Sequence, residues 1–248
     1  MFFHQKNVLG WLTPCIILVA ISSCGSEAER PETINKLRAL GVEQSPVAAK
    51  LGDTVQLTFY LAGPSQMVLT PRVLIDSNAR YGTAISVTPV DQNVSENVVG
   101  PLSLYSYKAT VSVPNDTSTA ARLAAQGYVR LRYNVAFSQG TDEESIVGDT
   151  VVYTANAPQL SWTAPTIAIT KPAATATAGT VELDGTISAT GAESNRVSWF
   201  VSGGKVKNRR AKTTLWEDAP KGSQAIFMTV RGTKSGAFAL KSLATTID

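Results

Sequence analysis

The 248 residues are enough for one large domain or two ordinary ones, each able to bury a hydrophobic core. Hydrophobic residues make up 44% of the chain and charged residues 17%, and this balance, with abundant Val, Thr, Ser and Gly, favours strands and turns over long helices. The formal net charge of +3 is too small to indicate a nucleic-acid-binding protein, and no basic run extends along a whole domain.

The N-terminal segment is typical of an export signal. A short, weakly positive start containing Lys6 precedes an apolar stretch over residues 8–21, which is too short to span a bilayer. The sequence Ile21-Ser22-Ser23-Cys24 then resembles the lipobox of bacterial lipoproteins. This resemblance implies that residues 1–23 are a cleaved signal peptide and that lipid on Cys24 anchors the protein in a membrane. Several acyl chains would hold it firmly, because each buried CH₂ adds about 0.8 kcal/mol.

Cleavage would leave few residues with catalytic chemistry. It would remove His4 and Cys15, so the mature protein would contain no histidine, no disulfide and no free thiol. Serine or cysteine triads and the usual zinc sites are then excluded, and we expect no metal and no cofactor. Gly25, rather than aspartate, follows the lipobox cysteine, and by resemblance to the usual sorting rule this implies the outer membrane of a diderm bacterium, on its periplasmic or surface face.

The first half of the chain predicts a strand-rich domain. Residues 24–33 are small, polar and charged, and predict a short tether. In the stretch from Ile34 to Val42, Ile34, Leu37 and Leu40 could line a helix, but Gly41 and then Pro46 interrupt it and favour an extended strand. Beyond it, apolar and polar residues alternate, as in antiparallel sheets with one face on a core and the other in water. Strands are predicted over Thr54–Leu61, Tyr105–Val113 and Val129–Phe137, with shorter candidates at Val68–Ile75, Ala84–Val90 and Thr150–Thr154. Asp116-Thr117-Ser118 is a helix start signal and predicts one helix over Thr117–Gln126.

The stretch from Ala157 to Pro165 contains two prolines and interrupts this pattern. It predicts a linker over residues 157–164, between domains at residues 34–156 and 165–248. The second domain has predicted strands at Thr166–Thr170, Thr180–Ala189, Asn195–Val201, Thr213–Trp216, Gln224–Arg231 and Gly236–Leu243. Turns recur roughly every 8–12 residues, which is the spacing of a β-sandwich. The chain lacks the helix–strand alternation of a parallel sheet.

Two tryptophans and a glycine-containing turn mark the second half: Trp199-Phe200-Val201-Ser202-Gly203-Gly204, then Trp216, then Pro220-Lys221-Gly222-Ser223. This half resembles bacterial immunoglobulin-like or PKD-like domains, in which a tryptophan of the third strand is often buried. The PKD glycine–aspartate pattern is absent. In place of an inter-sheet disulfide, Leu183 or Ile187 would pack against Met228 or Val230.

The first half resembles the same class through Leu51-Gly52-Asp53-Thr54-Val55, a turn into a strand. The predicted fold is therefore all-β, with two tandem antiparallel β-sandwich (immunoglobulin-like) domains after the signal peptide and tether.

The densest positive charge predicts a candidate contact surface, the basic segment, which carries Lys205, Lys207, Arg209, Arg210 and Lys212. One interpretation is an edge strand and turn that charge protects against self-pairing. The other is a surface that contacts an anionic partner through charge-assisted hydrogen bonds. Without interleaved aromatic residues it does not indicate single-stranded nucleic acid.

Three patterns suggest chemistry, and each has a simpler explanation. Ser202-Gly203-Gly204-Lys205 and Lys234-Ser235-Gly236 match short motifs of penicillin-recognising enzymes, but 32 residues cannot hold the intervening catalytic domain and both motifs fit turns. Asp142-Glu143-Glu144 could attract calcium, although three adjacent acids more often form a solvated loop tip. An autonomous hydrolase with paired carboxylates has no supporting spacing.

The sequence therefore predicts a non-enzymatic, membrane-anchored envelope lipoprotein. The sandwiches would act as a structural spacer and as a module that binds a protein or an anionic polymer, with no role for nucleic acid. The alternative is an accessory subunit of a surface enzyme or secretion assembly, with catalysis in another chain. A pocket with two facing carboxylates would favour an enzyme, and a flat surface with a basic hairpin would favour binding.

Overall fold

The computed structural model describes residues 31–75, 83–188 and 194–248. The predicted signal peptide, the lipobox with Cys24 and most of the tether lie outside the described residues. Within them the chain forms two successive β-sandwiches, as the alternating pattern predicts. A short 3₁₀ helix, Pro158–Ser161, lies between the sandwiches within the predicted linker.

The first sandwich consists of two sheets. One has the order β1-β3-β8-β6 with β7 also on β8, and the other has the order β2-β10-β9-β4 with β5 also on β9. The strands are β1 (Arg38–Ser45), β2 (Ala48–Ala49), β3 (Thr54–Pro64), β4 (Thr70–Leu74), β5 (Thr83–Ala84), β6 (Thr88–Pro89), β7 (Ser95–Val99), β8 (Leu102–Ser112), β9 (Tyr128–Gln139) and β10 (Asp142–Tyr153). An α-helix, α1 (Thr117–Gln126), connects β8 to β9.

The second sandwich repeats this arrangement. One sheet has the order β11-β13-β16-β15 and the other β12-β18-β17-β14. The strands are β11 (Thr166–Lys171), β12 (Thr175–Ala176), β13 (Gly179–Ser188), β14 (Asn195–Val201), β15 (Lys205–Val206), β16 (Thr213–Ala219), β17 (Gly222–Gly232) and β18 (Phe238–Ile247). In immunoglobulin domains strands A, B, E and D form one sheet, and G, F and C form the other. Both sandwiches have this strand order, so the predicted immunoglobulin-like fold class is confirmed.

The cores form where the alternation places apolar side chains. In β3 the alternate residues from Val55 to Leu61 are at most 1% exposed, and the same inward phase is kept along β8 and β9. Phe59 lies near the centre of the first core, with Tyr107, Tyr133 and Phe137 within about 6 Å of its ring centroid. Edge-on and tilted ring contacts of this kind suit the aromatic quadrupole. The polar residues of these strands lie on the opposite face because successive side chains of a strand alternate.

The second core is built around the buried Trp199 of β14 and Trp216 of β16. Trp199 lies in the predicted third-strand position, and its indole Nε1 donates a hydrogen bond to the carbonyl of Ala211 at 2.8 Å. Met228 occupies the space above Gly185, where an added Cβ would lie 2.4 Å from the Met228 sulfur. A flexible thioether therefore fills part of the inter-sheet space that a disulfide fills in antibody domains.

Helix α1 has the predicted bounds because both ends are capped. The Asp116 carboxylate accepts a hydrogen bond from the backbone N–H of Thr119 at 2.7 Å, which satisfies one of the unpaired donors at the helix start. Gly127 adopts the left-handed conformation with φ of 75° and ends the helix. Leu123 is buried and attaches the helix to the core of the first sandwich.

The two sandwiches form an interface that the sequence pattern does not predict. The alternation in Thr54–Leu61 predicts that Tyr60 faces water, but Tyr60 is partly buried, and Ala62, directly after the predicted strand, is fully buried on the same face. They belong to a separate apolar cluster with contributions from both halves of the chain. Its buried members are Ile34, Leu40, Ala62, Val99, Leu102, Phe200, Ala225 and Phe227. The outer face of one sheet in each sandwich is thus apolar at one end, and the two ends pack together.

Close backbone approach at this interface requires two glycines. Gly41 in β1 has φ of +153°, and a Cβ there would lie 2.3 Å from the Phe238 ring of β18. Gly100, between β7 and β8, has φ of +58°, and a Cβ there would lie 2.7 Å from the carbonyl oxygen of Gln224 in β17. Phe238 also stacks on Tyr60, with ring centroids 6.1 Å apart.

A buried polar side chain crosses the same interface. Gln44 is 4% exposed, and its amide nitrogen donates to the carbonyls of Val47 and Ser235 at 3.0 and 3.2 Å. Its amide oxygen accepts from the Thr150 hydroxyl at 3.2 Å. Separating the sandwiches would break the bond to Ser235, and a buried amide that loses a partner costs free energy of folding. The bonds of Gln44 therefore fix β1 and β10 against the turn between β17 and β18.

Gly41→Ala should weaken the interface, because the new methyl group must displace Phe238 and the residue must keep a positive φ. We expect a loss of unfolding free energy of roughly 1–3 kcal/mol from overpacking, in addition to backbone strain. Gly140→Ala is a matched control, since Gly140 has φ of +58° but no heavy atom within 4 Å of the added Cβ. Denaturant unfolding of Gly41→Ala, Phe238→Ala and the double variant measures the coupling. Strictly additive losses would contradict the steric explanation.

Limited proteolysis should cut near the exposed Ser161, because exposed connections between sandwiches are preferred sites of nicking. We expect the two fragments to remain associated, since the apolar cluster lies between them. Gel filtration of the nicked protein, with and without denaturant, would show this. Fragments that separate in native buffer, or a main cut inside β9, would contradict the expectation.

Candidate functional site

The basic segment of the sequence analysis forms an edge strand and a loop. Lys205 and Val206 constitute β15 at the edge of a sheet, paired with Glu217 and Trp216 of β16. Residues 207–212 form the loop that returns to β16. The segment therefore begins at a sheet edge, and both its protection of that edge by charge and its role as a contact surface stay predictions.

The loop is held by the second sandwich and does not project freely. The backbone N–H of Trp199 donates a hydrogen bond to the carbonyl of Arg209 at 3.0 Å. The indole N–H of the same tryptophan donates to the carbonyl of Ala211. The N–H of Asn208 donates to the Thr214 hydroxyl at 3.0 Å. The loop backbone thus covers the outer edge of β14. The hydrogen bonds hold the backbone from which the basic side chains extend.

The five positive charges of the basic segment diverge. The Lys205 ammonium lies 3.7 Å from the Glu217 carboxylate. Lys212 lies near Asp184, whose pKa is lowered by hydrogen bonds from Thr213 and Thr170 and further by the positive charge of Lys212. Arg210 faces a groove between the sandwiches. Lys207, which is exposed, and Arg209, which is half-buried, are the two basic residues of the segment outside these contacts.

The turn motifs have structural roles. The Ser202 hydroxyl donates to the Gln224 side chain at 2.7 Å and accepts from the N–H of Ala225 at 2.9 Å. The Ser235 hydroxyl is buried and accepts from the N–H of Ala237 at 2.9 Å. A nucleophilic serine needs a neighbouring base to take its proton, and these hydroxyls serve backbone and amide groups.

The acidic run Asp142-Glu143-Glu144 forms the start of β10, directly after the β9–β10 turn, and two of its members lie near arginines. Glu143 lies 2.7 Å from Arg72, and Glu144 lies 3.9 Å from Arg38. Within the described ranges, no three His, Cys, Asp or Glu side chains come together as metal ligands would. These ion pairs lie at the surface end of the β9–β10 hairpin. Each adds little to the free energy of unfolding, because water screens exposed ion pairs.

A second concentration of positive charge lies at the junction between the sandwiches. The junction cavity, of about 160 Å³, opens between β9 and β10 on one side and β14 and the β17–β18 turn on the other. Among the described residues that line it, four are basic and one is acidic. They are Arg130, Arg196, Arg231 and Lys234, with Asp149.

Two of these arginines are held side by side by the sheet register. Arg196 of β14 lies directly opposite Arg231 of β17. Like charges at such a position are destabilising because their Cβ atoms lie only about 4.5–5.5 Å apart. Arg231 also lies close to β9, since burial raises the pKa of Tyr133 and the positive charge of Arg231 opposes that rise.

The one acidic group among the described lining residues is already engaged. Both oxygens of Asp149 accept from the Arg132 guanidinium, at 2.9 and 3.1 Å, in a bidentate pair. Arg130 lies 3.8 Å from the same carboxylate. Asp149 therefore compensates the charges of Arg130 and Arg132 on β9. It compensates the charges of Arg196 and Arg231, on the other side of the junction cavity, less.

An apolar groove, of about 240 Å³, adjoins the junction cavity and shares Arg196 and Arg231 with it. Its walls include the apolar side chains Leu40, Val42, Ile146, Val197, Phe200 and Phe238, and Arg210 lies at its side. The two spaces share Arg196 and Arg231 as lining residues and together make one candidate site, in which positive charge lies beside apolar side chains. It is neither a pocket with two facing carboxylates nor a flat surface, the two alternatives that the sequence left open.

Sequence reasoning missed Arg130, Arg196 and Arg231 as site residues. It placed Arg130 on the polar face of a strand and found Arg196 and Arg231 near strand ends, where charged residues are common. Their alternation with apolar residues indicated only that they point away from a core. Lys234 was noted in a turn motif, but not as a neighbour of these arginines.

The predicted lipidation site, Cys24, lies outside the described residues. The end of the predicted tether lies within them and is bound to the second sandwich. The N–H of Val201 donates to the Glu32 carbonyl, and the N–H of Ile34 donates to the Val201 carbonyl, both at 2.9 Å. The Thr33 hydroxyl donates to the carbonyl of Gly204 at 2.9 Å, directly before Lys205. In the ranges that the structure describes, no helix has the length and apolarity needed to cross a bilayer.

Comparison with known proteins returned structural similarity only. No protein-family model matches the sequence, and no curated protein matches it. The chain is similar to the fibronectin(III)-like modules of Clostridium thermocellum CbhA, with 16% identity and a TM-score of 0.33 over 84% of this chain and 94% of that one. It is also similar to three N-terminal domains of the bacteriophage RB49 outer capsid protein Hoc, with 16% identity and a TM-score of 0.28 over 86% of this chain and 59% of that one. For the four N-terminal immunoglobulin domains of Dscam1 the values are 12% and 0.25, over 85% of this chain and 46% of that one.

Proposed function

We propose that this protein is a non-catalytic envelope lipoprotein, anchored in a membrane through Cys24, whose two joined sandwiches form a spacer and a binding module. The observation that carries the proposal is the docking of residues 32–34 onto β14, beside the start of the basic segment. It connects the predicted anchor to the most positively charged part of the second sandwich. The predicted location is the outer membrane of a diderm bacterium.

The docking limits how far the second sandwich can stand from the membrane. Seven residues separate Cys24 from Glu32, and an extended chain reaches at most about 3.3–3.6 Å per residue. If Cys24 carries lipid, the edge formed by Val201 and Gly204 lies within roughly 30 Å of the headgroups. The first sandwich then extends from the second as a fixed body, because the apolar cluster joins them.

The charge distribution supports a binding role. Lys207 is exposed and Arg209 is half-buried, on a loop whose backbone is fixed by Trp199. A fixed base reduces the conformational entropy that a partner's binding would cost. An acidic envelope protein or an anionic polymer fits these cations through charge-assisted hydrogen bonds.

Cys24→Ala should abolish lipidation and either release the protein from membranes or leave the signal peptide uncut. Metabolic labelling with a fatty-acid analogue, followed by membrane fractionation, measures both effects. Cys15→Ala is the matched control, since that cysteine belongs to the segment that cleavage removes. Label on Cys24→Ala equal to that on the wild type would overturn the anchor.

Lys207→Ser with Arg209→Ser should leave folding nearly unchanged, within about 0.5 kcal/mol, because neither side chain fills a core. The double variant should lose most of the partner captured by in-cell crosslinking and mass spectrometry, and wild-type capture should weaken as salt screens the charges. Lys108→Ser with Arg122→Ser removes the same charge from exposed positions of the first sandwich and should capture normally. Equal capture by both double variants would leave edge protection as the only role of the basic segment.

A further inference from the structure

We propose that the space between the sandwiches binds a phosphate monoester that carries an apolar substituent, with the phosphate in the junction cavity and the substituent in the apolar groove. The inference deepens the proposed binding role and does not depend on lipidation. It rests on the convergence of cations, the two spaces that share Arg196 and Arg231 as lining residues, and the packing of their walls.

The charge at the junction favours an oxyanion. Arg196 and Arg231 face the cavity from adjacent strands in direct register, with Lys234 in the turn that follows. With Arg130 opposite and one carboxylate at Asp149, the lining carries a formal surplus of three positive charges among the described residues. A dianionic phosphate between the two arginines would relieve their mutual repulsion. Guanidinium groups suit this role because their planar donors match phosphate oxygens in pairs.

The volume of the junction cavity suits the same group. At about 30 Å³ per water molecule, a space of 160 Å³ equals the liquid volume of about five waters, and the five bonded heavy atoms of a phosphate need less than that. Asp149 would not compete for the arginines across the cavity, since its oxygens already accept from Arg132. A monoanionic carboxylate would leave more of the surplus charge uncompensated.

The apolar groove supplies the second half of the site. Phe200 and Phe238 of the second sandwich and Leu40 and Ile146 of the first line a space that the two arginines also line. An apolar substituent of the phosphate would leave water there, and burial of apolar surface is favourable by roughly 25 cal/mol per Å². The walls are packed, because the missing side chain of Gly41 lets Phe238 lie against β1 and Gln44 bonds β1 to the β17–β18 turn. A pre-formed site requires little reorganisation on binding.

The test uses the full chain in phosphatidylcholine nanodiscs and four small water-soluble probes. We expect binding to decrease in the order phenyl phosphate, inorganic phosphate, benzoate and phenol, with phenol showing none. Isothermal titration calorimetry gives the affinities. Phenyl phosphate binding no tighter than inorganic phosphate would overturn the role of the apolar groove, and benzoate binding as tightly as phenyl phosphate would overturn the assignment to phosphate. No binding of any probe would overturn the site.

Variants locate the site. Arg196→Gln with Arg231→Gln should weaken phenyl phosphate binding by about tenfold or more, as expected for lost charge-assisted hydrogen bonds. The charge-matched Lys108→Gln with Arg122→Gln should bind like the wild type. Thermal unfolding checks that each variant folds. Arg196→Lys with Arg231→Lys keeps the charge but loses the paired donors, and it should bind phenyl phosphate with intermediate affinity. Undiminished binding by the folded Arg196→Gln and Arg231→Gln variant would overturn the location.

The outcome is separable from that of the proposed function. If the probes fail to bind while crosslinking at Lys207 and Arg209 still captures a partner, this inference is wrong and the binding module stands. If the probes bind and the basic segment captures nothing, the junction is the binding site of the module and the basic segment is not.

Discussion

The rest of the structure depends on the close packing of the two sandwiches where Gly41 lies against Phe238 and Gly100 lies against the backbone of Gln224. Both glycines have positive φ, and at both a Cβ would lie within 3 Å of the other sandwich. The absence of two side chains allows the apolar ends of two sheets to meet and bury Ala62, Ala225 and Phe227 completely. Two immunoglobulin-like units joined by a short linker would otherwise move independently, as domains with small interfaces usually do.

This packing also creates the charged space beside the apolar cluster. Each sandwich brings outward-facing arginines to its edge of the interface, where alone they would be ordinary solvated strand residues. Brought together, Arg130, Arg196 and Arg231 share one cavity, and Asp149 is largely taken up by Arg132. The Gln44 network lies at the same place and uses a buried amide to fix the relative position of β1, β10 and the β17–β18 turn. Rigid walls and unbalanced charge are thus two results of one contact.

The path of the N-terminal segment relates this junction to the predicted anchor. Residues 32–34 bind the edge of the second sandwich before the chain enters the first, so the chain crosses the interface twice. Ile34 is itself buried in the apolar cluster. A lipid on Cys24 would therefore hold the joined body through the second sandwich, near Gly204 and the basic segment, although the first sandwich comes earlier in the sequence.

The sequence by itself determined the fold class and most strands, because alternation with a period of two decides which side chains can form a core. The phases of Val55–Leu61 and Val129–Phe137, the capped helix Thr117–Gln126 and the buried Trp199 were all predictable from local patterns. Only the tertiary structure decided what the outward faces do. Alternation places Tyr60, Phe200, Arg196 and Arg231 away from their own cores, but whether such a face meets water or another sheet depends on contacts between residues over a hundred positions apart. The interface, its glycines and the arginine-lined cavity have no local signature for this reason.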